Sequence, residues 1–114
     1  MIKKKVAVIG SRTFNDYFRL KEKLDQFDIG IIVSGGAKGA DKLAELYAKN
    51  YNIETLIFKP DWEVYGKRAG YMRNIDIVDS CDLVIAFWDG ISKGTNHSIE
   101  YARKTNKEVI IYDF

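Results

Sequence analysis

The sequence predicts a doubly wound α/β sandwich, with a five-stranded, mostly parallel sheet flanked by about four helices. Three observations carry this. Apolar residues gather in short continuous runs rather than alternating, the runs are separated by segments with helical spacing, and the joints are short and rich in glycine. Continuous runs suit strands buried on both faces, as in parallel sheets covered by crossover helices. A strand–helix alternation with right-handed crossovers then gives the sandwich.

The first strand is Val6-Ala7-Val8-Ile9. A helix follows in which Tyr17, Leu20, Leu24 and Phe27 share one face, with Asn15 or Asp16 as its cap. Ile29 to Val33 is the second strand, and Ala40, Leu43, Ala44, Tyr47, Ala48 and Tyr51 fit the next helix. Ile53 to Phe58 is a third strand, interrupted by Glu54 and Thr55. A helix from about Gly66 to Ser80, a strand from Leu83 to Trp88, a helix from about Thr95 to Thr105 and a strand from Val109 to Tyr112 complete the series. No repeat, linker or low-complexity tract interrupts it, so residues 1–114 are expected to form a single domain with nothing appended.

Composition bounds the function. The chain has 114 residues, enough for one core. Its net charge is +2, from 18 basic and 16 acidic side chains, which is no footprint for duplex DNA. One cysteine, Cys81, excludes an internal disulfide and points to a reducing compartment. No apolar run approaches a signal peptide or a membrane span, and a cytoplasmic location is expected. No metal-ligand spacing is present.

In doubly wound folds ligands sit beyond the C-terminal ends of the strands. The segments there read Gly10-Ser11-Arg12-Thr13, Ser34 to Asp41, Lys59-Pro60-Asp61-Trp62, and Asp89-Gly90-Ile91-Ser92-Lys93-Gly94-Thr95. Three of the four are rich in glycine and small hydroxyls.

The second segment, Ser34-Gly35-Gly36-Ala37-Lys38-Gly39-Ala40-Asp41, fails two phosphate motifs. A P-loop begun at Gly35 needs glycine where Ala40 stands, and the dinucleotide fingerprint needs glycine where Ser34 stands. The corner at Gly39-Ala40 still offers free N–H groups and the positive end of a helix dipole. Two readings are open: an anion site, or glycines that merely permit a tight turn. Ser92-Lys93-Gly94-Thr95 also precedes a helix, and two such starts side by side favour a nucleotide phosphate or pyrophosphate. Arg12 and Arg73 suit phosphate contacts at the same rim.

The stretches VAVIGSRTFNDY at 6–17, IVSGGAKGADKLAELYA at 32–48, PDWEVYGKRAGYMRNIDIV at 60–78 and AFWDGISKGTNHSIEYA at 86–102 carry a family resemblance over nearly the whole chain. The sequence resembles the SLOG superfamily of Smf/DprA DNA-processing proteins and LOG-type phosphoribohydrolases, and within it the small single-domain YspA-like (YpsA-related) branch. The resemblance implies a Rossmann-like domain that binds a nucleotide or nucleotide-derived ligand. By position, Gly10, Ser11 and Arg12 would form one wall of the pocket, and Gly35, Gly36, Gly39 and Asp41 a second. Gly94 and Thr95 would form the phosphate loop, with Arg73 and Asn74 where the phosphoribohydrolases place an arginine acting on the ribose. Ser34, Asp89, Gly90, Ser92 and Lys93 complete the expected ligand-binding set.

One departure bears on catalysis. The phosphoribohydrolases carry PGGxGTxxE, but three residues after Thr95 stands Ser98, and the nearest acid is Glu100. Five residues on, Glu100 points to another side of the helix. The catalytic glutamate is not in place, which leaves Arg73, Asp41 and Asp89 as candidates should turnover occur, with His97 as a further imidazole. Cys81 reads as a buried structural thiol. Trp62 and Tyr65 suit stacking on a base, covering the sheet edge or meeting a second subunit. The leading expectation is a sensor of a ligand of the ADP-ribose, NAD or nucleoside monophosphate type, with no certain cofactor besides that ligand. An N-glycosidic hydrolase is the alternative, and single-stranded DNA binding, with nucleic acid disfavoured by charge, the third. A homo-oligomer, a dimer or larger, is expected from the aromatic loop.

Overall fold

A computed structural model of the protein describes residues 3–114. Five strands form one sheet: β1 (Lys4–Gly10), β2 (Ile29–Ser34), β3 (Glu54–Ile57), β4 (Leu83–Trp88) and β5 (Glu108–Asp113). Every pairing is parallel, and the spatial order is β3-β2-β1-β4-β5. The chain starts in the middle, winds outward through β2 and β3, then returns to the other side of β1. The order therefore reverses between β1 and β4, where such sheets open a crevice.

The helices are α1 (Tyr17–Leu24), α2 (Ala40–Asn50), a single-turn α3 (Trp62–Tyr65), α4 (Ala69–Asp79) and α5 (Lys93–Lys104). The core divides into two clusters, one on each face of the sheet. On one, Leu20, Leu24, Ala44 and Tyr47 of α1 and α2 meet Val6, Val8, Ile32, Leu83, Ile85 and Phe87. On the other, Ile77, Val78, Ile99 and Ala102 of α4 and α5 meet Ala7, Ile9, Val33, Val84 and Ala86. Alternate residues of β1 and β4 feed alternate clusters, which is why both strands read as unbroken apolar runs.

The predicted architecture is present, and the sheet is wholly rather than mostly parallel. Three details differ. β3 is an edge strand and its residues are exposed or half-buried, so Glu54 and Thr55 face water rather than interrupting a core. The helix expected from about Gly66 to Ser80 starts as a 3-10 turn over Gly66–Arg68 and becomes α4 at Ala69, and α3, which was not expected, precedes it: Asp61 caps α3 by accepting from Val64 N at 3.2 Å, and Gly66, at φ +57°, ends it. The last helix begins at Lys93 rather than near Thr95, because Gly94 is tolerated in a first turn whose N–H groups need no helical partner. As expected, Asp16 caps α1, accepting from Arg19 N at 3.0 Å.

Candidate functional site

Above the C-terminal ends of β1, β2 and β4 lies a cleft of two lobes. The wide lobe encloses about 690 Å³ and the narrow one about 330 Å³. Arg12, Ala37, Arg73, Asn74 and Gly94 line both, so they form the waist between them. Each volume falls within the roughly 300–1,000 Å³ typical of small-molecule sites.

Glycines bring the walls together. Gly39 precedes α2 at φ +82°, and a Cβ there would strike Ser11 O and lie 2.8 Å from the Arg12 backbone. Only glycine lets the β2–α2 loop lie against the β1–α1 loop that carries Arg12. At Gly35 a Cβ would stand 2.5 Å from Arg73 Nη1 and 2.9 Å from Asp41 Oδ2, in space those two side chains already use.

Arg73, on the first turns of α4, reaches across to β2. Its Nη1 donates to Gly35 O at 2.7 Å and its Nε to Asn74 Oδ1 at 3.0 Å. Asn74 Nδ2 donates to Gly94 O at 3.2 Å, joining α4 to the start of α5. Burial depresses the Arg73 pKa, Asp41 offsets this, and the nearby Arg12 adds to the depression. Two guanidiniums thus stand close enough to repel, and neither is held in an ion pair among the described residues. An anion between them would relieve that repulsion.

Asp41 is 7% exposed and lines the narrow lobe. Its Oδ2 accepts from Ala37 N at 3.1 Å, and burial raises its pKa from 3.8 to about 6 against the pull of that hydrogen bond and of Arg73. Asp89 behaves oppositely. Its Oδ1 accepts from Ile91 N and Ser92 N at 2.9 and 2.8 Å, and these bonds lower its pKa. Asp89 therefore shapes the turn that presents the start of α5, where Lys93, Gly94 and Thr95 offer first-turn N–H groups to the narrow lobe. Thr95 is 7% exposed and lines that lobe.

The structure brings Gly10, Arg12, Gly35, Gly36, Asp41, Arg73, Asn74, Asp89, Ser92, Lys93, Gly94 and Thr95 onto the cleft walls. Four expected residues do not line the cleft. Ser11 is buried and its Oγ accepts from Asp89 N at 3.1 Å, tying β1 to β4. Ser34, fully buried, donates to Asp41 O at 3.4 Å. Gly39 and Gly90 supply positive φ at turns. Of the other readings, Glu100 is exposed and bonded by Asn96, and Cys81 is buried with its Sγ donating to Val78 O. His97 is half-buried on the Tyr71 ring, with centroids 4.4 Å apart and Nδ1 without a partner among the described residues.

Sequence reasoning missed the wide lobe as a unit. Besides the shared residues it is lined by Lys59, Pro60, Trp62, Lys67, Gly70 and Tyr71. Trp62 of α3 packs beside Gly70 of α4, where an added Cβ would lie 3.8 Å from Trp62 Cη2, an ordinary contact distance. The wide lobe carries Arg12, Lys59, Lys67 and Arg73 and no carboxylate, whereas the narrow lobe sets Asp41 and Asp89 beside Arg12, Arg73 and Lys93.

Fold and cleft define a Rossmann-like α/β protein with a cleft at the topological switch point. The chain belongs to the YspA, cpYpsA-related SLOG family, whose family model matches residues 4–65. It is similar to the Gene 61 protein of Mycobacterium phage D29, 35% identical over 118 residues that span 94% of each chain. Among solved structures it is similar in fold to DNA processing protein A (DprA) from Streptococcus pneumoniae. The TM-score is 0.78 at 24% identity, over 96% of this chain and half the length of that one. No helix among the described residues is long and apolar enough to cross a membrane.

Proposed function

We propose that the cleft binds a nucleotide or nucleotide-derived ligand, of the ADP-ribose, NAD or nucleoside monophosphate type, and that the protein acts as a sensor of it. The observation that carries this reading is the unpaired couple Arg12 and Arg73 at the waist, beside the first turn of α5. Guanidiniums and helix-start N–H groups are the usual partners of phosphate oxygens, and the exposed Trp62 and Tyr71 rings offer faces for a base. Native mass spectrometry of freshly purified protein would report the mass of a retained ligand and the number of subunits. In titrations, Arg12→Ala and Thr95→Ala should each weaken nucleotide binding; tight, specific binding that survives both changes removes this site.

One observation favours a second reading, N-glycosidic hydrolysis. Asp41 is a buried carboxyl with its pKa raised to about 6, a suitable value for proton transfer near neutrality. Chromatography for free base after incubation with nucleoside monophosphates and NAD separates the two. Binding without turnover across the panel leaves the sensor. Single-stranded DNA draws support from the cationic, aromatic wide lobe and is opposed by the net charge of +2. Salt-sensitive retention of an oligonucleotide at moderate ionic strength would favour it.

A further inference from the structure

Exposed apolar side chains are not spread evenly over this molecule. Of the eleven large ones exposed among the described residues, five lie between 62 and 72: Trp62, Val64, Tyr65, Tyr71 and Met72. The single turn α3 buries none of its residues. Apolar residues scattered singly over a surface need no cover, whereas a contiguous group marks a contact surface. Trp62 and Tyr71 line the wide lobe, but Val64, Tyr65 and Met72 do not, so the cleft does not account for them.

The pattern along α4 shows what does. Ala69, Arg73, Ile77 and Val78 turn toward the core and the cleft. On the opposite side, positions 68, 72, 75 and 79 follow at steps of four, three and four, which aligns them as one ridge along a helix. The ridge reads Arg68, Met72, Ile75, Asp79: a cation at its start, an anion at its end and two apolar residues between. Arg68, Met72 and Asp79 are exposed, and Ile75 is half-buried. Neither Arg68 nor Asp79 is in an ion pair among the described residues. The Tyr101 hydroxyl donates to Asp79 Oδ1 at 2.8 Å, which steadies the carboxylate at the end of the ridge. Turned end for end, this ridge complements itself, with Arg68 opposite Asp79 and Met72 opposite Ile75. A twofold contact requires just that, since the same patch on each subunit meets its own copy.

We propose that this face is a homodimer interface, in which α4 packs antiparallel on α4 of a second copy. Two Arg68–Asp79 pairs close its ends, and Met72 and Ile75 of both chains fill its centre. A standard interface hides about 800 Å² per partner, more than one short helix presents, and the contact extends onto the exposed Val64 and Tyr65. Arg73 and Asn74 leave the other side of α4, so each subunit keeps its own cleft. Association is thus independent of what the cleft binds.

Sedimentation equilibrium of the full chain over a wide range of protein concentration tests this. The parent chain is expected to form a dimer and nothing larger, because a twofold contact closes on itself. Arg68→Asp and Asp79→Arg each put like charges at both ends of the interface and should raise the dimer dissociation constant at least about tenfold. Combining the two exchanges the charges and should restore the dimer, a rescue that general destabilisation would not give. Met72→Glu should leave a monomer that still melts cooperatively, since Met72 is already 37% exposed. A parent chain that stays monomeric, or a dimer that survives all three single changes, overturns the proposal. So does a dimer that dissociates with Leu56→Lys and not with the ridge variants, which would place the contact on the edge strand β3, where Leu56 is 40% exposed.

Discussion

Arg73 Nη1 donates to the carbonyl of Gly35 at 2.7 Å, fixing the first turns of α4 to the loop that follows β2. With Nε held by Asn74, the guanidinium plane is set before any ligand arrives. An ammonium cannot keep both bonds in one plane. Arg73→Lys is therefore expected to lower nucleotide affinity by about tenfold or more while costing about 1–2 kcal/mol of stability. Titration and denaturant unfolding measure the two effects separately, and unaltered affinity would show that the planar fork is not needed.

Gly39 is required by its φ of +82° and by the contact its backbone makes with Ser11 and Arg12. Gly39→Ala should cost about 1–3 kcal/mol and shift Arg12. Gly90→Ala is the control: φ there is +80°, but nothing lies within 4 Å of the added methyl, so only backbone strain is paid. Chemical denaturation should rank Gly39→Ala as the more destabilising of the two; the opposite order would contradict the close approach.

The raised pKa of Asp41 makes the ligand-free protein pH-sensitive. Its folded pKa is about 6 against an ordinary value of 3.8, mainly through burial, so the folded state holds its proton more tightly than the unfolded chain. Stability from this group is complete below about pH 4 and is lost as pH rises through about 6, a change on the order of 3 kcal/mol. Asp41→Asn should flatten the melting temperature across that window relative to the parent protein. An unchanged slope would mean that the carboxyl is solvated.

Trp62 is 59% exposed and rests on the edge of the wide lobe. Trp62→Ala should change stability by less than about 0.5 kcal/mol, while loss of base stacking weakens nucleotide binding by roughly 1–3 kcal/mol. Indole fluorescence in the parent protein should respond to an added base-bearing nucleotide and not to inorganic phosphate.

Cys81 is 3% exposed and its thiol pKa is raised, chiefly by burial. Alkylation of the native protein should therefore be slow, accelerating in denaturant in step with unfolding. Rapid modification of the folded chain would be evidence of local opening at the end of α4.

The fold was legible because β1 and β4, central and covered on both faces, leave no polar position in their runs. The edge strand β3 was less clear, since Glu54 and Thr55 answer to solvent rather than to a core. The waist was legible too: Arg12 follows a strand end, and Arg73 and Asn74 lie in a distinctive stretch. The wide lobe was not. Lys59, Lys67 and Tyr71 come from an edge-strand exit, a 3-10 turn and a helix, and nothing in their spacing reveals that they face one space. The family resemblance places Ser11 by position, and Ser34 with it, in the expected ligand-binding set. Both are buried, Ser11 Oγ accepting from Asp89 N and Ser34 Oγ donating to Asp41 O.

The cleft has no local fragment. Its waist takes Arg12 from behind β1, Ala37 from behind β2, Arg73 and Asn74 from α4 and Gly94 from α5. These positions become neighbours only when the central strands have paired and both helical layers have docked, so no peptide of this chain should retain affinity. Occupancy therefore acts as a lock on the whole cooperative unit. A ligand at about a hundred times its dissociation constant would add nearly 3 kcal/mol against unfolding, and proteolytic survival of the chain would then track the concentration of any compound that fills the cleft.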